Sequence, residues 1–125
     1  MKIKITILFS LLLFATTTIF AQDIRNRTVS ERVKITMDKI TSPLKLDASQ
    51  ASRTDSAFAD FYQSQNKMME NAKSSGNRPN RQEFEKIINA RDEKLKEIFT
   101  EDQYTQFKND VENSLRPYWQ SHEGN

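Results

Sequence analysis

Cysteine is absent from all 125 residues, so no disulfide holds this chain together and no thiol can act as nucleophile or soft metal ligand. Histidine occurs once, as His122 near the C-terminus, which leaves little material for imidazole-based catalysis or metal binding. Glycine is almost missing: Gly76 and Gly124 stand alone, so there is no Gly-rich loop to cradle a phosphate. The prolines are Pro43, Pro79 and Pro117, and the stretches between them run uninterrupted. No segment alternates with period two over enough residues to make a strand. An excess of charge of one sign is lacking as well, with 19 Lys and Arg against 17 Asp and Glu. The acids are interspersed with Lys and Arg, the pattern of solvated helix faces rather than of a paired-carboxylate catalytic site. These absences point away from an enzyme, and no catalytic, cofactor-binding or metal residues are assigned.

One long apolar run is present, and it is N-terminal. Lys2 and Lys4 precede an uncharged, threonine-rich apolar stretch from Ile5 to Phe20, which closes on the small residue Ala21. This reads as a secretory signal peptide, residues 1–21, cleaved before Gln22. The run falls short of the ~20 residues of a membrane-spanning helix, so no membrane insertion is expected after cleavage. No Cys follows it to receive a lipid. Cleavage would remove two Lys and no acid, leaving Gln22–Asn125 with 17 charges of each sign. A neutral chain gives no case for nucleic-acid binding. Residues 22–125 are the length of one domain. Their richness in Lys, Glu, Gln, Asp, Asn and Ser suits long solvated helices around a thin core, which a partner chain could help complete.

Four helix starts can be read from capping patterns. The most telling is a phrase that occurs twice: Leu46-Asp47-Ala48-Ser49-Gln50 and Phe99-Thr100-Glu101-Asp102-Gln103. In each, an apolar residue precedes a capping oxygen, and Gln follows three places later. Asp47 or Thr100 can accept from the backbone N–H of that Gln, whose side chain can reach back to the cap's own N–H. Leu46 would staple onto Ala51, and Phe99 onto Tyr104. Thr28-Val29-Ser30-Glu31 is a further capping box. Asn80-Arg81-Gln82-Glu83 reads as a fourth, with Asn80 as the cap.

The first helix is expected from about Val29 to about Thr41, with Val33, Met37 and Ile40 on one face and Ser42-Pro43 ending it. The second runs from Ala48 to about Ser75, roughly 40 Å at ~1.5 Å per residue. Its stripe is Ala51, Phe58, Phe61, Tyr62, Gln65, Met68, Met69 and Ala72, and Gly76 caps its end. The third runs from Arg81 to about Ile98 on Phe84, Ile87, Ile88, Leu95 and Ile98, continuing to Phe99, with Arg91 as an interruption. Asp92 and Lys96 form an i,i+4 pair on its solvated side. The fourth runs from Glu101 to about Leu115 on Tyr104, Phe107, Val111, Leu115 and Tyr118. Pro117 kinks or ends it, and Trp119 onward is a frayed tail. The short turn after helix two makes helices two and three antiparallel, and Thr100 marks a sharp bend. The expected fold is all-α: an elongated bent hairpin of four helices.

A twice-occurring phrase of this kind, on such a helical chain behind a signal peptide, resembles the Spy/CpxP family of periplasmic proteins, known by a repeated Leu-Thr-x-x-Gln motif. The first copy keeps Leu46 and Gln50 but has Asp47 for Thr. The second keeps Thr100 and Gln103 but has Phe99 for Leu. Both departures keep the physical role, because Asp caps as well as Thr and Phe staples as well as Leu. The resemblance covers about Thr28 to about Tyr118. It implies a cradle-shaped, all-helical homodimer in the periplasm. Spy-like members hold unfolding envelope proteins without ATP, and CpxP-like members also damp an envelope-stress sensor kinase. More distant relatives sense metals, for which His122, Met68 and Met69 make no ligand set. The motif residues carry over as structural caps only.

Client holding needs adaptable apolar groups among charges rather than a catalytic residue. Phe58, Phe61, Tyr62, Met68 and Met69, with Arg78, Arg81 and Lys73 nearby, are the candidates. The three aromatics span so wide an arc that one of them is expected to stay exposed. The leading expectation is an ATP-independent chaperone for unfolded or partly folded envelope proteins. The alternative is a regulatory adaptor that binds the periplasmic domain of a sensor kinase, and a purely structural helical spacer comes third.

Overall fold

The structure, a computed structural model, describes residues 27–115. The expected signal peptide, the kink at Pro117, Tyr118, the tail from Trp119 and His122 lie outside the described residues. The fold is all-α, with four helices and no strand among the described residues. We number them α1 (Val29–Ile40), α2 (Ala48–Ser75), α3 (Arg81–Ile98) and α4. Helix α4 opens as Glu101–Gln106, widens into a π-helical stretch at Phe107–Val111 and closes as Glu112–Leu115.

Three of the four starts are built as their spacing predicts. Thr28, Asp47 and Thr100 each accept from the backbone N–H three residues on, and Glu31, Gln50 and Gln103 each return a bond to the cap's N–H. The start of α3 differs. Asn80 Oδ1 accepts from the N–H of Gln82, two residues on, at 2.9 Å, so its cap is not the reciprocal box expected with Glu83. An Asn side chain satisfies the nearer donor, and Glu83 stays exposed.

The end of α1 falls where the sequence places it, with Thr41 as the cap, but the chain does not leave the helical path there. Regular α-helix stops at Ile40, yet the chain keeps turning past Pro43, with Leu44 N–H donating to Ile40 O at 3.1 Å. Proline lacks only one donor, and its φ suits a helical path. The reversal falls at Lys45, which adopts the left-handed conformation with φ 53°. Lys45 N–H donates to Ser42 O at 3.2 Å and Leu46 N–H to Thr41 O at 3.1 Å, the paired bonds of a Schellman motif. Gly76 (φ 69°) ends α2 the same way, with Asn77 N–H donating to Ala72 O at 3.0 Å. Phe99 and Thr100 are extended, so α3 passes into α4 without a free linker.

Helix α2 packs against α1 on one side and α3 on another, and α1 also meets the π stretch of α4. Cross-links show antiparallel pairing: Thr36 bonds Tyr62, Arg32 bonds Gln65 and Asn66, and Lys94 bonds Asp60. Ile40, Leu44, Phe58, Leu95 and Phe107 are fully buried where the two junctions meet. The Phe58 ring lies 6.1 Å from Phe61, 6.1 Å from Tyr62 and 6.2 Å from Phe107. Thr54 is sealed in this core, its hydroxyl donating to Gln50 O at 2.7 Å. That local bond lets a polar residue sit in an apolar row. Beyond the level of Tyr62 the hairpin of α2 and α3 thins to an arm. There Met68 is buried, while Ala72, Phe84, Ile87 and Ile88 are only half-buried.

Candidate functional site

The two phrases meet in space. Gln50 Nε2 donates to Gln103 Oε1 at 2.7 Å and to Ile98 O at 3.1 Å. Gln103 Nε2 donates to Leu44 O at 3.0 Å. Each glutamine oxygen also accepts from its own cap, Asp47 N–H at 3.1 Å and Thr100 N–H at 2.9 Å. Each amide therefore closes a helix start and grips the chain entering the other junction. Gln106 adds a bond to Pro43 O at 3.1 Å. Leu46 is half-buried and Phe99 buried beneath this seam. Asp47, Gln50, Thr100 and Gln103 thus form one polar clasp between the α1–α2 and α3–α4 junctions, with Leu46 and Phe99 packed under it.

Beside the clasp lies a charge cluster that apolar spacing concealed. Arg91 is 6% exposed and donates to Asp92 Oδ1 from Nε (3.0 Å) and Nη2 (2.8 Å), and to Glu112 Oε2 (3.0 Å). Lys108 donates to Asp92 Oδ2 at 2.9 Å and also bonds Glu112 Oε2. The guanidinium sits 4.8 Å from the Phe61 ring centre, 5.5 Å from Phe107 and 5.8 Å from Phe58. The π stretch makes room for this. Its wider turn, closed by Glu112 N–H on Phe107 O, lets Phe107, Val111 and Glu112 all face inward. Among the described residues no buried side-chain nitrogen or oxygen lacks a hydrogen-bond partner.

This cluster overturns two readings. Asp92 is buried and pairs with Arg91 and Lys108, not with Lys96 on a solvated side. Lys96 instead approaches Glu93 at 3.6 Å and lies 5.6 Å from the Tyr104 ring centre. Nor are the acids uniformly solvated, since Asp92 and Glu112 are interior. The one available signal was Arg91 itself, a cation where the α3 stripe calls for an apolar residue. Burial alone would lower the Lys108 pKa. Hydrogen bonds to Glu112 and Asp92, together with their charges, outweigh it and hold the ammonium above its ordinary value.

The proposed contact residues separate into two groups. Phe58, Phe61, Tyr62 and Met68 are all buried, so the expectation that one aromatic stays exposed does not hold. The three aromatics are held by the ring cluster, and Tyr62 also by α1. Tyr62 OH lies 2.6 Å from Thr36 Oγ1, and Arg32 stacks over the Tyr62 ring at 4.1 Å. Burial lowers the Arg32 pKa, with Tyr62 acting in the opposite sense. Met69 is 49% exposed, and Lys73, Arg78 and Arg81 are fully at the surface of the arm. Between α2 and α3 runs a shallow groove of about 210 Å³, floored by Ala57, Phe61 and Ile87 and edged by Asp60, Lys86 and Lys94. Among the described residues no group of three or more His, Cys, Asp or Glu is placed to hold a metal ion, and no helix is long and apolar enough to cross a membrane.

Comparison with protein-family models, with curated proteins and with solved structures returns no match.

Proposed function

We propose that this chain is an ATP-independent holding protein of the periplasm, a non-enzymatic, homodimeric relative of the Spy/CpxP proteins that limits aggregation of unfolding envelope proteins. The observation that carries the reading is the arm. Phe84, Ile87 and Ile88 stay half-covered there and Met69 is half-exposed, interleaved with Lys67, Lys73, Lys86, Glu70 and Glu83. Such a surface offers apolar contact without one fixed shape, and methionine adapts to many partners. Its charges raise the encounter rate. In this reading Phe58, Phe61, Tyr62 and Met68 are scaffold, and the clasp of Gln50 and Gln103 holds the arm's base rigid.

The test is light scattering from a thermally or chemically unfolding model client, without ATP, as Gln22–Asn125 is added in increasing ratio. Scattering should fall to baseline near one dimer per client. Unchanged scattering, from a protein shown to be helical and dimeric, would overturn the reading. It would favour an adaptor for one folded partner, such as the periplasmic domain of an envelope-stress kinase.

A further inference from the structure

The described residues carry 15 Lys and Arg against 15 Asp and Glu, neutral in sum but sorted along the molecule. Divide the described residues at the level of Tyr62, where α1 crosses α2. The arm side, residues 27–34 and 63–90, carries eight Lys and Arg against four Asp and Glu. The core side, residues 35–62 and 91–115, carries seven against eleven. The sorting is sharpest at the tip. From Asn71 to Gln82 there are three cations, Lys73, Arg78 and Arg81, and no acid. The nearest opposing charge is Glu85, 3.3 Å from Arg81, with the two side chains 91% and 57% exposed. So open a pair adds little to stability. It offsets part of the Arg81 charge, leaving Lys73 and Arg78 as the tip cations that make no ion pair among the described residues.

Helix α2 has 28 residues, about 42 Å at ~1.5 Å per residue. The Debye length at physiological ionic strength is about 8 Å. A surface meeting the tip therefore senses the local charges, five Lys and Arg against Glu70, Glu83 and Glu85 over residues 67–86, and the acids at the core end are screened from it. Residues 73–83 are all exposed around a turn that Gly76 and Pro79 shape. The tip is convex and its apolar content is one proline. The grooves between α2 and α3 lie back toward Ala57 and Lys94. A tip of this form has nothing with which to grip a particular side chain of a folded partner. A sheet of lipid phosphates asks for charge alone.

We infer that the α2–α3 tip is an electrostatic foot that sets the molecule end-on against an anionic phospholipid surface, through Lys73, Arg78 and Arg81, leaving the core end pointing away. This goes beyond the holding reading and does not depend on it. Each cation near an anionic bilayer contributes roughly fivefold in partitioning at low ionic strength, so three contribute on the order of a hundredfold.

The experiment is co-sedimentation of Gln22–Asn125, which contains every described residue, with vesicles of phosphatidylglycerol and phosphatidylcholine, and with pure phosphatidylcholine vesicles. Two triple variants are compared: Lys73→Gln, Arg78→Gln, Arg81→Gln at the tip, and Arg53→Gln, Lys94→Gln, Lys96→Gln at the core end. Both change net charge equally, and circular dichroism checks that both stay helical. The inference expects binding to the anionic vesicles only, a loss of about a hundredfold at low salt in the tip variant, and little change in the core-end variant. Equal loss in the two variants would show that net charge alone is read, and would overturn it. Absence of binding to anionic vesicles at low salt would overturn it too. So would capture by soluble polyglutamate with no vesicle binding, which would assign the tip to an acidic polypeptide.

Discussion

Replacing Arg91 by Ala tests the least expected feature of the fold. The guanidinium is 6% exposed, makes three charge-assisted hydrogen bonds, and lies within 6 Å of three aromatic ring centres, the nearest at 4.8 Å. Its removal leaves Asp92 and Glu112 interior with one fewer countercharge. Breaking a buried ion pair from one side costs about 3–5 kcal/mol, mostly because a charge stays buried without its partner. A domain of this size has a total stability of only ~5–15 kcal/mol. The variant should therefore lose about a fifth of its stability or more, and its Tm should fall by roughly 15–25 °C. Urea unfolding followed by helical circular dichroism measures the loss directly. A companion variant separates charge from packing. Arg91→Met combined with Asp92→Leu and Glu112→Leu removes the buried ions together, and Lys108, its side chain 32% exposed, can turn to solvent. That variant should be near neutral or more stable, since apolar replacement of a whole buried ionic set is often favourable. A cost below about 1 kcal/mol for Arg91→Ala would refute the reasoning, because the cluster would then have to be hydrated rather than interior.

Three further outcomes can be measured on the same protein. Thr100→Ala removes the acceptor for Gln103 N–H (3.2 Å) and should cost about 1 kcal/mol, loosening the α3–α4 junction; unchanged thermal unfolding would mean that Thr100 does not cap. Lys45→Gly should raise stability by about 0.5 kcal/mol, because the left-handed φ of 53° strains any residue with a Cβ and glycine's greater freedom when unfolded offsets only part of the gain; a lower urea midpoint would contradict this. The raised pKa of Lys108 gives stability that is fully present below its ordinary value of 10.5 and is lost as pH rises through the higher folded value. Alkaline titration of stability should therefore fall more steeply in the parent chain than in Lys108→Met, and parallel curves would rule the linkage out.

Helix identity and most boundaries were readable because the signals were local. A capping oxygen with Glu or Gln three residues later specifies a start wherever it occurs, and Gly76 specifies an end. The α1 terminus at about Thr41 was legible, but the turning path beyond it was not, because Pro43 breaks one hydrogen bond without reversing the chain. The reversal rests on Lys45, a residue with no intrinsic taste for positive φ. The π stretch had no signature at all, since a single wide turn leaves the spacing of Phe107 and Val111 unchanged. Its consequence, the burial of Glu112, therefore could not be anticipated. Arg91 was visible as a break in the α3 stripe, but its partners come from its own neighbour and from a helix about twenty residues away. Pairings of that kind belong to tertiary structure. Thr54 was hidden for the opposite reason, because it meets its hydrogen-bonding need within its own helix.

The doubled phrase does more than begin two helices. A capping box leaves the glutamine's Nε2 hydrogens free, and both glutamines here spend them on the other junction: Gln50 on Ile98 O and Gln103 Oε1, Gln103 on Leu44 O. Glutamate at either position would keep the cap and lose these donors. It would also set a carboxylate against the other glutamine's acceptor oxygen and a backbone carbonyl. The contrast between Thr28…Glu31, whose side chains cap only their own helix, and the two Gln-bearing phrases follows from this. An amide is required where two helix starts must be held together, and a carboxylate suffices where one stands alone. Gln103→Glu should therefore cost more than Thr100→Ala, although it leaves the cap's acceptor in place, and a smaller loss would show that the two phrases act as separate caps rather than as one clasp.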